Sequence, residues 1–192
     1  MWRFLLGGAV LGLLGAGCDA QSEAPTEAGD DYLDADVVTS LPEGDGVGNE
    51  VSGTYETRAT VTSCVGACGP FEAAGTTYLA CERDAESVEW VSAYQDDGAL
   101  RVDLDDDGHV GINVDGYAPV RMHGGVDIDG SWEVGGHDTK FGGDIEATAR
   151  ARGRIRAGVL EGTLEVQVSG VVGGTELDCH ATHRLASVEA EE

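Results

Sequence analysis

The sequence predicts an all-β fold, a single antiparallel meander domain of about nine or ten short strands that forms a barrel or a two-sheet sandwich. Three observations lead to this prediction. The chain of 192 residues has 30 glycines against 4 prolines, a balance typical of many strands joined by tight turns. Apolar and polar residues alternate with a period of two through much of the chain. Outside the N-terminal segment, no stretch shows sustained helical periodicity.

The clearest predicted element is a hairpin from Asp144 to Ser169, with a two-residue turn at Ala157-Gly158. In this register small and apolar residues meet on one face, pairing Ile155 with Leu160, Gly153 with Gly162, Ala151 with Leu164 and Ala149 with Val166. On the other face, Arg154 lies opposite Glu161 and Arg150 opposite Glu165. Because one register satisfies both faces, we expect a half-buried antiparallel hairpin.

Two further turns predict a meander before this hairpin. Read as three-residue loops closed by glycine, Asp96-Asp97-Gly98 and Asp106-Asp107-Gly108 separate strands near 87–95, 99–105 and 109–114. This reading places Tyr94 opposite Leu100, Leu100 opposite Val114, Val102 opposite Ile112 and Leu104 opposite Val110. Trp90, Tyr94 and Trp132 are accordingly expected on inward faces.

The remaining strands lie before, between and after these elements. We expect a first strand from residue 51 to 61, a short strand near 76–82, three short strands near 120–123, 126–128 and 131–134, and a last strand from Glu176 to Leu185. We favour a barrel over a sandwich, because a nearest-neighbour meander closes readily and leaves no free edge. Gly53-Thr54-Tyr55 resembles the Gly-x-Trp opening of lipocalins, with tyrosine in place of tryptophan. The resemblance implies a barrel that carries a small apolar ligand.

The N-terminus has the features of an export signal. Arg3 precedes an apolar run from Phe4 to Leu14 that is too short to span a bilayer and ends in Leu14-Gly15-Ala16-Gly17-Cys18. A cysteine after small residues resembles the lipobox of bacterial lipoproteins. The resemblance implies removal of residues 1–17, a diacylated Cys18 carrying palmitate-type chains, and anchoring in the cell envelope. An ordinary secretory signal is the alternative, and Asp19 leaves the choice between inner and outer membrane open.

The mature chain divides by composition into three parts. Between Asp19 and Asn49 there is no Lys or Arg and little apolar content, so residues 18–49 are expected to form an acidic, disordered tether with a reach of roughly 30 Å. The β domain is expected over residues 50–187, and residues 188–192 form an acidic tail.

Five cysteines are an odd number for an exported chain. If Cys18 is acylated, Cys64, Cys68, Cys81 and Cys179 remain for two disulfides. Barrel closure would bring the end of the first strand near the start of the last, which favours Cys64–Cys179 with Cys68–Cys81. The pairing Cys64–Cys81 with Cys68–Cys179 stays open.

The segment Asp103–Val110 has the spacing of an EF-hand calcium loop. Asp103, Asp105 and Asp107 occupy its first, third and fifth positions, and Gly108 its sixth. The twelfth position is Val114 rather than glutamate, and a hairpin turn explains the same residues. We therefore expect no cofactor and at most a weak calcium site at Asp103, Asp105 and Asp107, unless a neighbouring loop with Asp127 or Asp129 completes a tighter site.

Composition also limits function. A formal net charge of −25 argues against binding to nucleic acid or to an anionic membrane surface, because both need basic patches. No catalytic motif is recognisable. We expect a lipid-anchored envelope protein, a non-enzymatic binding or structural module whose protein or small-ligand partner the sequence does not identify. The alternatives are the lipocalin-like carrier and a hydrolase whose site is assembled from residues such as His123, His137 and Asp138.

Overall fold

The computed structural model describes residues 33–46, 51–73, 76–78, 81–104 and 121–188. Within these ranges the chain forms a four-residue helix and ten strands. They are α1 (Ala35–Val38), β1 (Gly53–Ala67), β2 (Phe71–Ala73), β3 (Thr76–Tyr78), β4 (Glu86–Asp96), β5 (Ala99–Leu104), β6 (Arg121–Val126), β7 (Ser131–Lys140), β8 (Ile145–Arg156), β9 (Val159–Val172) and β10 (Thr175–Ser187). A 3₁₀ turn at Phe141–Gly143 joins β7 to β8.

Eight of these strands form a closed antiparallel barrel in the order β1-β10-β9-β8-β7-β6-β5-β4, and β2 pairs with β3 separately. Closure depends on the length of β1. Its first part, Gly53–Thr60, pairs with β4, while Thr57–Ala67 pairs with β10. The prediction of an all-β antiparallel meander is confirmed, and the ring has no free edge along these pairings.

Alternate residues of all eight strands point inward and contact one another in a single apolar core. The predicted Ala157-Gly158 hairpin is confirmed, since β8 and β9 pair Ile155 with Leu160, Gly153 with Gly162 and Arg150 with Glu165. Gly162 makes room for the Trp132 indole, because a Cβ at Gly162 would stand 3.1 Å from its Cζ2 atom. The inward positions of β10 also agree with prediction, with Leu177, Cys179 and Ala181 all buried.

The predicted register between β4 and β5 is wrong by one residue. The loop has two residues, Asp97-Gly98, with Asp97 at a φ of 52°, and it pairs Gln95 with Leu100 and Ala93 with Val102. A one-residue change in register exchanges the two faces of a strand. Val91 and Ala93 are therefore buried, while Trp90 and Tyr94, expected inward, lie on the outside of the barrel. Trp132 is inward, as predicted.

The predicted pairing of β5 with residues 109–114 is also wrong for Leu100 and Val102. Leu100 lies between Gln95 and Gly124, and Val102 lies between Ala93 and Met122, so both sides of β5 are occupied by β4 and β6. β6 runs through Gly124-Gly125 as one strand, where two short strands were expected. Leu104 is buried as expected, but its proposed partner Val110 lies outside the described residues.

The preferred disulfide pairing is wrong, and the other pairing is found: Cys64 is bonded to Cys81 and Cys68 to Cys179. The premise about topology holds, because the end of β1 lies beside the start of β10. A bulge between Val61 and Ser63 shifts the register, however, and sets Gly66 opposite Cys179 and Cys64 opposite Ala181. Cys179 is thus reached from Cys68, and the two bonds brace one end of the barrel.

Residues 33–46, which composition assigned to the disordered tether, are ordered against the outside of the barrel; the tether prediction is wrong for this part. We call them the strap. Asp34 caps α1 through bonds from the Asp36 and Val37 amides, and Leu33 and Val38 are buried. The strap fits over outward-facing glycines. A Cβ at Gly135 would stand 2.4 Å from the Val38 carbonyl oxygen, and one at Gly125 would stand 2.3 Å from the Gly44 nitrogen.

The C-terminal part of the strap lies against the end of the barrel opposite the disulfides. The Gly44 amide donates to the Gly98 carbonyl, and the Gly46 amide donates to the Val126 carbonyl. Gln95 fixes this segment: its amide nitrogen donates to the Gly46 carbonyl, and its side-chain oxygen accepts from the Val51 amide. Among the described residues no helix has both the length and the apolar content needed to cross a bilayer.

Candidate functional site

The outer side of β4 carries the most exposed aromatic residues described. Val88, Trp90, Ser92 and Tyr94 point outward on alternate positions of this strand, and we call them the β4 face. Trp90 is 40% exposed and Tyr94 is 49% exposed, although the residues between them, Val91 and Ala93, are buried in the core. The strand therefore needs one of its faces for folding and leaves two aromatic rings in solvent on the other.

Neighbouring strands surround these rings with polar groups. On β1, Thr54, Glu56 and Arg58 lie opposite Ser92, Trp90 and Val88. The Thr54 and Ser92 hydroxyl oxygens are 3.3 Å apart. On β5, Arg101 lies opposite Tyr94, with its guanidinium carbon 4.2 Å from the centre of the ring. Such a cation–π contact holds the ring and the guanidinium in a fixed arrangement.

The charges on the β5 side of the β4 face are paired. The Oδ1 atom of Asp103 accepts from Nε of Arg121 at 3.0 Å, and its Oδ2 atom lies 3.3 Å from a guanidinium nitrogen of Arg101. Counting Arg58 and Glu56 on β1, and Glu43 and Asp96 near Tyr94, this region has three arginines and four carboxylates. In a chain with 36 acidic residues against 11 Lys and Arg, the region is therefore less acidic than the average.

The strap borders the β4 face and forms a shallow groove with it. This groove, of about 330 Å³, is lined by Leu41 and Glu43 from the strap and by Tyr94, Arg101 and His123 from the barrel. A second groove of about 540 Å³ lies on the other side of the strap, against Glu133 and Arg152 of β7 and β8. Both open on the outside of the barrel.

Inside the barrel, one polar side chain stands out. His183 on β10 is 1% exposed, and neither of its ring nitrogens has a hydrogen-bond partner in the described structure. It lies between Val61 of β1 and Leu164 of β9. Burial lowers the pKa of His183 to about 4, and the nearby Leu164 backbone offsets only part of this effect. The buried histidine is therefore neutral in the folded protein at ordinary pH.

The residues considered for a hydrolase do not all lie on one face of the sheet. His123 and His137 both point outward. The Nδ1 atom of His137 is 3.0 Å from the hydroxyl of Thr148, beneath the strap. Asp138 pairs with the buried Ala147 and so belongs to the opposite face of β7 from His137. His180 and His183 lie on opposite faces of β10, as the alternation predicts.

The calcium candidates that lie within the described residues each contact other groups of the protein. Asp103 is engaged by two arginines, while Asp105 and Asp107 lie outside the described residues. Asp129 accepts from both the hydroxyl and the amide of Ser131 and pairs with Arg154, and these contacts lower its pKa. Asp127 accepts from the Asp45 amide in the strap. In the part of the chain that is described, no three potential ligands gather as a metal site would require.

The arginines of β8 are partly neutralised. Arg150 pairs with Glu133 at 2.8 Å and Arg154 with Asp129 at 2.6 Å, both towards β7. The register sets Arg150 opposite Glu165 and Arg154 opposite Glu161, as predicted. This surface is better described as a set of cross-strand ion pairs than as an anion site.

The sequence reading missed the β4 face because it assigned both rings to the core. The signal that could have found it is the dipeptide Asp97-Gly98, which favours a two-residue hairpin turn. That turn puts Val91 and Ala93 inward and the rings outward. A comparison of the chain with protein-family models, curated proteins and solved structures finds no significant match.

Proposed function

We propose that this protein is a lipid-anchored, non-enzymatic binding module of the bacterial cell envelope, and that the β4 face is its binding surface. One observation carries the proposal: Trp90 and Tyr94 are exposed on a strand whose other side already supplies the core. Tryptophan, tyrosine and arginine are the residues that contribute most to recognition surfaces. Trp90, Tyr94 and Arg101 bring all three types to one face.

The scaffold behind this face supports a role in binding. The barrel is closed, two disulfides brace one end, and the C-terminal part of the strap is hydrogen-bonded to the other. A surface carried on a rigid support loses little conformational entropy when it binds. The interior favours a binding surface on the outside over the carrier alternative, because described side chains of all eight strands contact one another there as one apolar core.

The cysteine count supports the proposed anchor. The disulfides use Cys64, Cys68, Cys81 and Cys179, four of the five cysteines in the chain. Cys18 is left, at the end of the lipobox-like segment. Two acyl chains on Cys18 would anchor the protein stably where one chain would be marginal. The residues before Leu33 would connect the anchor to the strap.

The anchor and the binding face are tested separately. Labelled palmitate should be incorporated by the parent protein and not by Cys18→Ser, and an unlabelled parent protein would contradict the anchor. For the face, the unanchored Cys18→Ser protein is sedimented with isolated envelope fragments. We expect it to bind, and Trp90→Ala with Tyr94→Ala to abolish binding.

A control variant, Val171→Ala, alters an exposed apolar residue on β9 away from the β4 face and should bind normally. Circular dichroism would check that every variant is folded. Equal binding of the aromatic variant and the control would refute the assignment of the face.

A further inference from the structure

We propose that the ligand of the β4 face is an uncharged polysaccharide, bound along the outside of the strand. This inference rests on the proposed function and specifies its ligand. The first support is the arrangement of the rings. Trp90 and Tyr94 point the same way from one strand, four residues apart, which separates them by about 13 Å. Ser92 lies between them. The rings thus form two spaced supports and not one contiguous apolar patch.

Such spacing suits a polymer of repeated rings. A pyranose has C–H groups on its faces and hydroxyl groups around its edge, so its face packs on an aromatic ring while its edge needs hydrogen bonds. A protein partner would instead favour a continuous apolar area at the centre of the contact. On the β4 face the two apolar rings are interrupted by a hydroxyl pair, Thr54 and Ser92.

The second support is the set of hydrogen-bonding groups beside the rings. Glu56 lies opposite Trp90 and offers acceptors, Arg58 and Arg101 offer donors, and the hydroxyls of Thr54 and Ser92 offer both. A sugar hydroxyl also donates and accepts. The side chains around the rings therefore match the edge of a sugar without requiring a charge on it.

The third support is charge. Asp103 pairs with Arg101 and Arg121, so the charges on the β5 side of the face already have partners. A polyanion would also meet the repulsion of a chain whose net charge is −25. A polycation would bind the acidic remainder of the surface and would not need the rings. The β4 face is less acidic than the rest of the molecule and carries the exposed rings, so an uncharged chain is the partner that it favours.

The experiment uses the unanchored Cys18→Ser protein without its signal peptide, which leaves Trp90 and Trp132 as its tryptophans. Because Trp132 is buried, iodide quenching of fluorescence reports mainly on Trp90. The probes are soluble β-1,4-glucan, soluble α-glucan and N-acetylglucosamine oligomers. At least one should protect Trp90 from iodide, and Tyr94→Ala should weaken its binding about tenfold. Tyr94→Phe, which keeps the ring, should bind much more tightly than Tyr94→Ala, and Val171→Ala should bind like the parent.

Absence of protection by all three probes would overturn the polysaccharide proposal. If envelope fragments then still bind through the β4 face, and protease treatment of the fragments removes binding, the ligand is a protein and the proposed function stands. Binding to protein-free lipid vesicles would identify a membrane surface and would also overturn the inference. If neither fragments nor vesicles bind through Trp90 and Tyr94, the proposed function fails as well.

Discussion

Replacement of His183 by leucine is predicted to remove a specific part of the acid sensitivity of this protein. His183 is almost fully buried, its ring nitrogens have no partners in the described structure, and its pKa is lowered from 6.5 to about 4. A leucine of similar size would lie among apolar neighbours such as Val61 and Leu164. The substitution therefore removes the titrating group without placing another polar group in the core.

The direction of the change in stability with pH follows from the coupling between proton binding and unfolding. Above pH 6.5 the histidine is neutral in both the folded and the unfolded protein, so it does not change stability with pH. As pH falls below 6.5, the unfolded chain binds a proton that the folded chain does not bind until about pH 4. The free energy of unfolding therefore falls through this window. At about 1.4 kcal/mol per pKa unit, the loss is roughly 3 kcal/mol by pH 4, a large part of a typical domain stability of about 5–15 kcal/mol.

The assay is urea unfolding of the parent and His183→Leu at several values between pH 7.5 and pH 4. The relevant quantity is the difference between the two free energies of unfolding as a function of pH, since titration of carboxylates such as Asp129 is common to both proteins. Between pH 6.5 and pH 4, the free energy of unfolding of His183→Leu should rise by roughly 3 kcal/mol relative to that of the parent. His180→Gln, which changes an exposed histidine of the same strand, is the control variant. A constant difference between parent and His183→Leu would refute the reasoning.

Three other perturbations test the strap, the disulfides and the calcium candidate. Gly135→Ala should release the strap, because the added Cβ would meet the backbone at Val38; we expect a loss of about 1–3 kcal/mol in urea unfolding, whereas Val37→Ala on the exposed side of α1 should have little effect. Removing the Cys68–Cys179 bond, which joins residues 111 apart, should lower the free energy of unfolding by about 4–5 kcal/mol. Removing Cys64–Cys81, with a separation of 17, should lower it by roughly 3 kcal/mol. Peptide mapping would check the pairing, and equal losses would contradict the loop-length argument. Millimolar calcium should raise the melting temperature by no more than a few degrees, because a site of millimolar affinity would be half filled and add only about 0.4 kcal/mol. A large rise that Asp105→Asn abolishes would contradict it.

The sequence could predict the β8–β9 hairpin because two independent patterns constrain it. Its apolar face and its charged face both require the same register, and the turn at Ala157-Gly158 has only one natural reading. The β4–β5 turn lacks this redundancy. Asp96-Asp97-Gly98 fits a two-residue or a three-residue loop, and choosing the larger side chains for the core gave Trp90 and Tyr94 the wrong face.

The strap could not be predicted, because the composition of a segment gives no information about the surface on which that segment packs. Leu33 and Val38 are buried by a surface whose important feature is the absence of side chains at Gly125 and Gly135. No local pattern relates these glycines to a segment some ninety residues earlier. The disulfides show the same limit: the topology was predicted, but the bulge after Val61 decided which cysteine faces Cys179.

The most direct test of the binding face is oxidative footprinting of the Cys18→Ser protein, read by mass spectrometry, with and without envelope fragments. Trp132, buried in the core, serves as the internal reference within the same molecule. The account predicts that bound fragments protect Trp90 and Tyr94 from oxidation several-fold, while exposed residues on β9 and β10 such as Val171 and His180 react as before. Oxidation of Trp90 and Tyr94 at the unbound rate, in protein that has sedimented with the fragments, would contradict it.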